Sequence, residues 1–403
     1  MNVLMLSAPL PHPKWGASKR NYYLLQALAR RHRVSLLTFA NKEEAGVAEH
    51  LRLLEELAEP VQVIPFQAIH ARRWRQFMSV ARSRSYLFHL FIQPAMQEAL
   101  DAMLERHHYD LVLFENAVVA GYRLAAGVPV VIDQHNIEYE ILQRTYERER
   151  PSLRKWYNHQ QYRLAKQAEL ERCRRADLLL VTSEREHQVF KRFLPEHPIE
   201  VVPNGVDLDL FHNPDTGQEQ PHQIIFTGIM DYYPNVKATL FFAQHCWPRI
   251  RAAVPDATWL IVGVNPPPTV QRLAHLPGVT VTGWVPDVRP YLASSAVAIV
   301  PLEIGSGTRL KILEALAMQK AVVSTSLGCE GLALTPGQHL MVADQPDAFA
   351  EAVIAFLKNP ARRASFGAAG RALVEATYSW EQCGARLLSA LDAHCTQGEQ
   401  VCR

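Results

Sequence analysis

One stretch of the chain decides the fold: AVAIVPLEIGSGTRLKILEALA, residues Ala296 to Ala317. It opens with four consecutive apolar residues from Val297, a pattern that predicts a strand buried on both faces. A loop with two glycines follows, and from Arg309 onward strong helix formers place apolar side chains on one face. A strand, a glycine loop and a helix in this order predict a repeating unit of an α/β fold, with a loop that a ligand can approach closely.

The loop Gly305–Thr308 predicts an anion-binding site, because the free N–H groups and the dipole of a helix N-terminus point into it. Arg309 and Lys311 add positive charge at the helix end that normally prefers acidic residues. Two cations there favour a ligand with more than one negative charge, and a diphosphate fits best. Glu314 shares a helix face with Lys311. It either binds the two vicinal hydroxyls of a ribose or forms a surface ion pair with Lys311.

This run resembles the nucleotide-sugar site of the retaining glycosyltransferases of family GT4, which have the GT-B fold. Those enzymes carry an E-x7-E motif here, and Glu314 matches the second glutamate, which contacts the ribose. Ser306 occupies the position of the first glutamate, so the contact to the donor sugar departs from the family pattern. Together with the glycine loop, the resemblance predicts that these residues bind the donor: Ser306, Gly307, Thr308, Arg309, Lys311 and Glu314.

A second charged loop of the family lies earlier in the chain. In GT4 relatives the loop after Gly228 carries an arginine and a lysine for the diphosphate. Here Ile229 stands at the arginine position and Lys237 follows later, so Arg309 and Lys311 are expected to supply the missing charge. In similar enzymes the backbone near Val285 holds the nucleobase.

The start of the chain also fits the family. In GT-B enzymes a glycine loop between the first strand and the first helix faces the acceptor and the donor phosphates. Here this loop has Gly16, and Arg20 follows one turn later. We therefore expect Gly16 to bind the donor and Arg20 to contact the acceptor or a membrane.

Polar residues follow the apolar run Val128–Ile132, beginning with Asp133 and His135. The C-terminal ends of buried strands are where open α/β sheets bind ligands. Taken alone, His135 could be an ordinary loop histidine. GT4 enzymes have a His-Asp or His-Asn pair at a similar position, which implies that His135 is the catalytic residue beside the transferred sugar.

The βα alternation starts again after residue 222, which predicts two domains. Residues 1–203 form the expected acceptor domain, completed by a C-terminal helix over 379–395 that begins with a capping box at Ser379. Residues 204–378 form the nucleotide-sugar-binding domain, and the polar stretch 213–222 is the expected linker. The family signature Val-Pro-Asn-Gly-Val-Asp spans the boundary. The expected fold is therefore GT-B, with two Rossmann-like domains facing each other across a cleft.

Composition limits the class of protein. With 403 residues and a net charge of +2, the chain is not expected to bind nucleic acid generally. Its six cysteines lack metal-site spacing, and neither a signal peptide nor a membrane-spanning run is recognisable, which favours a cytoplasmic location. The string Asp207-Leu208-Asp209 follows a turn and is interpreted as structural, so we expect no metal and no cofactor apart from the donor substrate.

The stretch from His70 to Phe91 contains five arginines, several aromatic residues and no acid. This pattern suits a nucleic-acid face, an anionic membrane surface, or a solvated helix with its aromatics in the core. Residues 1–200 also hold 28 basic and 23 acidic residues. We expect this stretch, through Arg72, Arg73 and Arg75, to bind the inner face of a membrane peripherally, with a saccharide or polyprenyl-linked saccharide as acceptor.

The resemblance therefore implies a metal-independent retaining glycosyltransferase, similar to bacterial exopolysaccharide-type enzymes. It would move a sugar from a nucleoside diphosphate sugar to an acceptor hydroxyl, in exopolysaccharide or lipid-linked glycan assembly. Two alternatives remain open. The chain could be a GT-B nucleotide-sugar epimerase or hydrolase, or a non-catalytic partner of an active transferase.

Overall fold

Two parallel β-sheets organise the chain in a computed structural model, which describes residues 1–13, 16–41, 46–66, 78–124, 127–147, 149–213, 219–305 and 307–395. The chain divides into two units. The first comprises Met1–Pro203 and Cys383–Arg403, and the second comprises Asn204–Gln382. Among the described residues, no helix combines the length and the apolar character needed to cross a bilayer.

The first unit has a seven-stranded sheet with the order β3-β2-β1-β4-β5-β6-β7. Its strands are β1 (Asn2–Ser7), β2 (Arg33–Phe39), β3 (Val61–Ile64), β4 (Leu111–Phe114), β5 (Val130–Gln134), β6 (Leu178–Val181) and β7 (Ile199–Val201). Its helices include α1 (Gly16–Ala29), α2 (Val47–Glu55), α3 (Tyr86–Leu90), α4 (Pro94–Arg106), α5 (Glu138–Glu147), α6 (Leu153–Arg175) and α7 (Glu184–Lys191).

Strand β1 shows why these apolar runs become central strands. Leu4 and Leu6 enter one hydrophobic cluster, whereas Val3 and Met5 enter a second cluster on the opposite face. Successive side chains of a strand point to opposite faces, so only a sheet covered on both sides can bury them all. The last helix of the chain contributes Leu387 to the second cluster.

The second unit has a six-stranded sheet with the order β10-β9-β8-β11-β12-β13. Its strands are β8 (Gln220–Thr227), β9 (Thr258–Val262), β10 (Val279–Gly283), β11 (Ser295–Val300), β12 (Ala321–Ser324) and β13 (Met341–Val342). Its helices include α8 (Tyr233–Phe241), α9 (Trp247–Ala253), α10 (Pro268–Gln271), α11 (Arg289–Ser294), α12 (Leu310–Ala317), α13 (Pro346–Lys358) and α14 (Pro360–Thr377). Helix α15 (Trp380–Cys395) begins at the end of this unit and continues into the first.

The predicted α/β fold with two Rossmann-like sheets is confirmed. The expected linker 213–222 is too long at its C-terminal end, because β8 begins at Gln220, which pairs with Ser295 of β11. Backbone pairing extends β8 beyond its apolar part, and the first residues of the strand are exposed. In both sheets the strand order reverses, between β1 and β4 and between β8 and β11. Ligands of open α/β sheets bind at the C-terminal strand ends of such switch points.

Candidate active site

Lys311 is the central charge at the switch point of the second unit. It lies in the first turn of α12, and its Nζ donates a hydrogen bond to Asn235 Oδ1 at 3.0 Å. The same Nζ lies 4.2 Å from the centre of the Phe226 ring at the end of β8. Burial, and to a lesser extent Arg309, lower the pKa of Lys311 to about 7, although Glu314 raises it. Because burial disfavours the charged form of Lys311, an anionic ligand at this site would stabilise the ammonium.

Asn235 is a site residue that the sequence analysis missed. It is buried in the first turn of α8, where its side-chain amide also donates to the Ile229 carbonyl oxygen at 2.8 Å. Asn235 therefore ties the loop after β8 to Lys311 of α12. The N-termini of both helices lie at this point, and each favours negative charge. The Pro234-Asn235 pair shortly after Gly228 was the available signal in the sequence.

Gly228 is required by close packing at the same place. Its φ is +154°, and a Cβ built there would lie 2.7 Å from Asn235 Nδ2 and 2.9 Å from Lys311 Nζ. A Cβ on Gly263, at the end of β9, would come within 1.6 Å of the Gly228 carbonyl oxygen. Gly228 thus leaves the space that Lys311 and Asn235 occupy, and Gly263 allows the Gly228 backbone to approach closely.

The predicted glycine loop lies against the side chain of Arg309. This arginine is buried, and its Nη1 donates to the Gly307 carbonyl oxygen, so the guanidinium lies against the loop. A Cβ on Gly305 would lie 3.1 Å from Arg309 Nη2. Thr308 Oγ1 accepts a hydrogen bond from Asn204 Nδ2 at 3.0 Å. Ser306 lies outside the described residues.

The other predicted donor residues differ in position. Glu314 lies on α12 one turn beyond Lys311 and is half-buried. Lys237 is exposed on α8, with Nζ 5.7 Å from the centre of the Tyr233 ring. The structure thus brings Asn235, and not Lys237, to Lys311. Val285 is half-buried against the core of the unit, whereas Trp284 is 66% exposed.

Asp207 has a structural partner in its own turn. Its Oδ1 accepts hydrogen bonds from the backbone N–H of Asp209 at 3.1 Å and of Leu210 at 2.8 Å. These contacts stabilise the turn after the interdomain signature. Across the part of the chain that the structure describes, no group of three His, Cys, Asp or Glu residues is arranged to hold a metal ion.

In the first unit, polar residues meet at the ends of β1, β4 and β5. Ser7 closes β1 and its hydroxyl donates to Glu115 Oε2 at 2.8 Å, immediately after β4. Asn21 of α1 donates to Ser7 Oγ at 2.9 Å and to the same carboxylate. Asp133, near the end of β5, accepts from Arg20 Nε at 2.8 Å and from Arg20 Nη2 at 2.5 Å. All these side chains are buried.

His135 is held by this network. Its Nε2 lies 3.0 Å from Asp133 Oδ2, and its side chain is only 8% exposed. Burial alone would raise the pKa of Asp133, but Arg20, and then His135, bring it down to about 2. Because Asp133 is therefore a carboxylate near neutral pH, it accepts and Nε2 of His135 donates in this contact. The orientation of His135 is thus set by its contact with Asp133.

Two more carboxyls surround His135. Burial raises the pKa of Glu115, and His135 and its hydrogen bonds lower it in part. Burial also raises the pKa of Glu138 to about 7, with His135 lowering it and Glu115 raising it. Glu169 of α6 fixes the loop, because it accepts from the backbone N–H of Glu138 at 3.0 Å and of Tyr139 at 2.9 Å. Glu138 belongs to the polar residues that follow the apolar run Val128–Ile132, whereas sequence reasoning missed Glu115 and Glu169, which lie far from His135 in the chain.

The expectation that Arg20 contacts an acceptor or a membrane is wrong, because the side chain is buried. Its side chain is only 2% exposed, it forms an ion pair with Asp133, and Nη1 donates to the Pro203 carbonyl oxygen at 3.0 Å. A guanidinium so enclosed orients Asp133 and, through it, His135. Gly16 is the first residue of α1.

The basic and aromatic stretch is described only from residue 78 onward, so Arg72, Arg73 and Arg75 lie outside the described residues. In the described part, Phe88 is fully buried. Phe91 packs on Phe66, with 5.5 Å between ring centroids. These aromatics therefore belong to the core, as one of the interpretations of the sequence proposed.

Two family models match the chain. The model described as "Glycosyltransferase Family 4" matches residues 16–210, and the model described as "Glycosyl transferases group 1" matches residues 221–359. The first match covers α1 to β7 with the Arg20–Asp133–His135 network. The second covers β8 to α13, including Gly228, Asn235 and Lys311.

Similar proteins agree with these matches. The chain is 31% identical over 238 residues to the GDP-mannose-dependent monoacylated alpha-(1-6)-phosphatidylinositol monomannoside mannosyltransferase of Corynebacterium glutamicum. That match covers 54% of the chain and 62% of the relative. Sucrose-phosphate synthase from Thermosynechococcus elongatus has a similar structure, with a TM-score of 0.72 at 19% identity, over 98% of the chain and 99% of that protein. HepE of Anabaena in complex with UDP also has a similar structure, with a TM-score of 0.67 at 16% identity, over 98% of the chain and 100% of that protein.

Proposed function

Because the chain belongs to glycosyltransferase family 4 and has the GT-B fold, we propose that it is a retaining glycosyltransferase. It transfers a hexose from a nucleoside diphosphate sugar to an acceptor hydroxyl. Donors of the UDP and GDP type are the first candidates, since HepE is described with UDP and the corynebacterial relative is named for GDP-mannose.

The observation that carries the proposal is the position of Lys311. Its ammonium is held by Asn235 beside Gly228, between the N-termini of α8 and α12. Two helix N-termini and the ammonium of Lys311 supply positive potential without a metal ion. The diphosphate that develops as leaving group gains negative charge during transfer, and preorganised donors stabilise that charge. Arg309 supports this site by holding the glycine loop through the Gly307 carbonyl oxygen.

His135 is the proposed catalytic residue of the first unit. Its orientation by Asp133 and Arg20 supports a fixed hydrogen bond to the donor sugar. Nε2 is engaged with Asp133, so Nδ1 is the nitrogen left for the substrate. Retention follows if the departing diphosphate assists attack of the acceptor hydroxyl on the same face of the sugar. In this mechanism Ser306 at the position of the first family glutamate does not prevent transfer.

The proposed acceptor is a lipid-linked saccharide at the inner face of the membrane, in exopolysaccharide or lipid-linked glycan assembly. The name of the corynebacterial relative supports a lipid acceptor, since that enzyme is a phosphatidylinositol mannoside mannosyltransferase. The surplus of basic residues in the first half of the chain supports binding to an anionic surface.

The test is turnover of a panel of UDP-, GDP- and ADP-sugars with and without a polyprenyl-linked saccharide. We expect release of nucleoside diphosphate that depends on acceptor, and a product whose anomeric configuration, read by NMR, equals that of the donor. Release without acceptor would identify a hydrolase, and sugar interconversion an epimerase. Binding of a nucleotide sugar with no turnover of any panel member would identify a non-catalytic partner and refute the proposal.

A further inference from the structure

The first turn of α6 carries two large apolar side chains that are exposed. Leu153 is 88% exposed, the highest value among large apolar side chains in the part of the chain that is described. Trp156, three residues later on the same helix face, is 51% exposed. Ser152 caps this helix by accepting from the Lys155 backbone N–H at 3.1 Å. The two side chains therefore stand on an ordered helix end.

The same turn is basic. Arg150 and Arg154 are exposed and Lys155 is half-buried, while the first turn contains no acidic residue. Glu149 is the neighbouring acid, and it forms an ion pair with Arg154 at 2.9 Å. We call residues Arg150–Trp156 the α6 tip.

Further positive charge lies along α6. Gln161, two turns after Leu153 on the same row of the helix, accepts from the Tyr86 backbone N–H at 2.8 Å and donates to Ser79 Oγ at 2.9 Å. The segment between Ser79 and Tyr86 carries Arg82 and Arg84, which are both exposed. Gln161 thus holds the segment that carries the two arginines against α6.

We propose that the α6 tip docks on an anionic lipid bilayer, with Leu153 and Trp156 inserted among the headgroups. A large aromatic and an aliphatic side chain surrounded by cations match the interface of a negatively charged membrane. This occupant rests on the proposed function, because it presumes a lipid-borne acceptor. Its apolar residues differ from those of the stretch expected from the sequence, where Phe88 and Phe91 pack inward.

The position of the tip fits an acceptor with a saccharide headgroup. Helix α5 starts at Glu138, three residues after His135, and its 10 residues span about 15 Å. The α6 tip begins at Arg150, three residues after the last residue of α5. His135 and a bilayer at the tip are thus separated by about the length of one short helix. A headgroup of a few sugars has a similar length.

The experiment is cosedimentation of the full chain with vesicles of phosphatidylcholine alone or with phosphatidylglycerol. We expect binding only to the anionic vesicles, reduced by salt. Leu153→Ser/Trp156→Ser and Arg150→Glu/Lys155→Glu should each weaken it at least about ten-fold. The matched control is Arg192→Glu/Lys358→Glu, which makes the same charge change at two exposed residues elsewhere and should bind like the parent chain.

Three results would overturn the inference: no binding of the parent chain to anionic vesicles, equal binding by the tip variants, or self-association that the tip variants abolish. Self-association would show that the tip is an interface between copies of the chain. Turnover of the nucleotide sugar with a soluble short-chain acceptor separates this question from the proposed function. Such turnover without vesicle binding refutes the docking surface alone, whereas vesicle binding without any turnover refutes the proposed function alone.

Discussion

Replacing Lys311 by methionine removes the ammonium between Asn235 and Gly228 and keeps most of the side-chain volume. Hydrogen bonds to charged groups contribute about 1.5–3 kcal/mol. The variant should therefore bind the nucleoside diphosphate about 10- to 150-fold more weakly than the parent chain. Affinity for the nucleoside alone should change much less. Lys358→Met, at an exposed position at the end of α13, is the matched control.

The pH dependence makes the test sharper. The pKa of Lys311 is lowered to about 7, so the lysine loses its proton as the pH rises through this value. Since the diphosphate favours the protonated form, affinity of the parent chain should fall by up to about ten-fold per pH unit above 7. Titration calorimetry with a nucleotide sugar from pH 7 to 9 measures this slope, and Lys311→Met should flatten it. Equal affinities in both chains, or an equal slope in the variant, would refute the assignment of Lys311.

Three further predictions concern other residues. His135→Ala should lower turnover about 100- to 1000-fold, the range for loss of one preorganised hydrogen bond at the reacting group, and leave calorimetric affinity for the free nucleoside diphosphate unchanged. A parallel loss of affinity would show a structural role. The folded-state pKa of Glu138 is raised to about 7, so its contribution to stability is present below about pH 4.3 and lost as the pH rises through 7. Glu138→Gln should therefore reduce the decline in Tm between pH 5 and 8, and an unchanged decline would contradict the raised pKa. Asp207→Ala should lower the free energy of unfolding, measured in urea, by about 0.5–2 kcal/mol and leave kcat unchanged. Activity of the parent chain should survive EDTA. A requirement for magnesium or manganese would contradict the interpretation of Asp207 and Asp209 as structural residues.

The run Ala296–Ala317 shows how much of the fold the pattern of residues predicted. Because both faces of a parallel sheet are covered, its strands read as continuous apolar runs, and Val297–Val300 was recognisable for that reason. The glycines and the helix formers after them predicted the loop and a helix from Arg309, and α12 begins at Leu310. Glu314 and Lys311 needed only the helical period to be placed on one face. These features are local, so neighbours in sequence determine them.

The partners of the charged residues are not local. Lys311 and Asn235 are 76 residues apart, and they meet because β8 and β11 are neighbours in the sheet. The family pattern favoured a lysine in the loop after Gly228, so the sequence suggested Lys237 as a donor-binding residue. Helix α8 instead buries Asn235 and leaves Lys237 exposed.

The sequence by itself therefore determined the α/β class, the two Rossmann-like sheets and the family, because strand periodicity, glycine loops and motif spacing are properties of short segments. Only the tertiary structure decided that Arg20, expected at an acceptor or membrane surface, is buried against Asp133, 113 residues away. The order of β1, β4 and β5 brings their ends together. Asp133 stays ionised there because Arg20 offsets the cost of removing the carboxylate from water, whereas burial raises the pKa of the neighbouring Glu115.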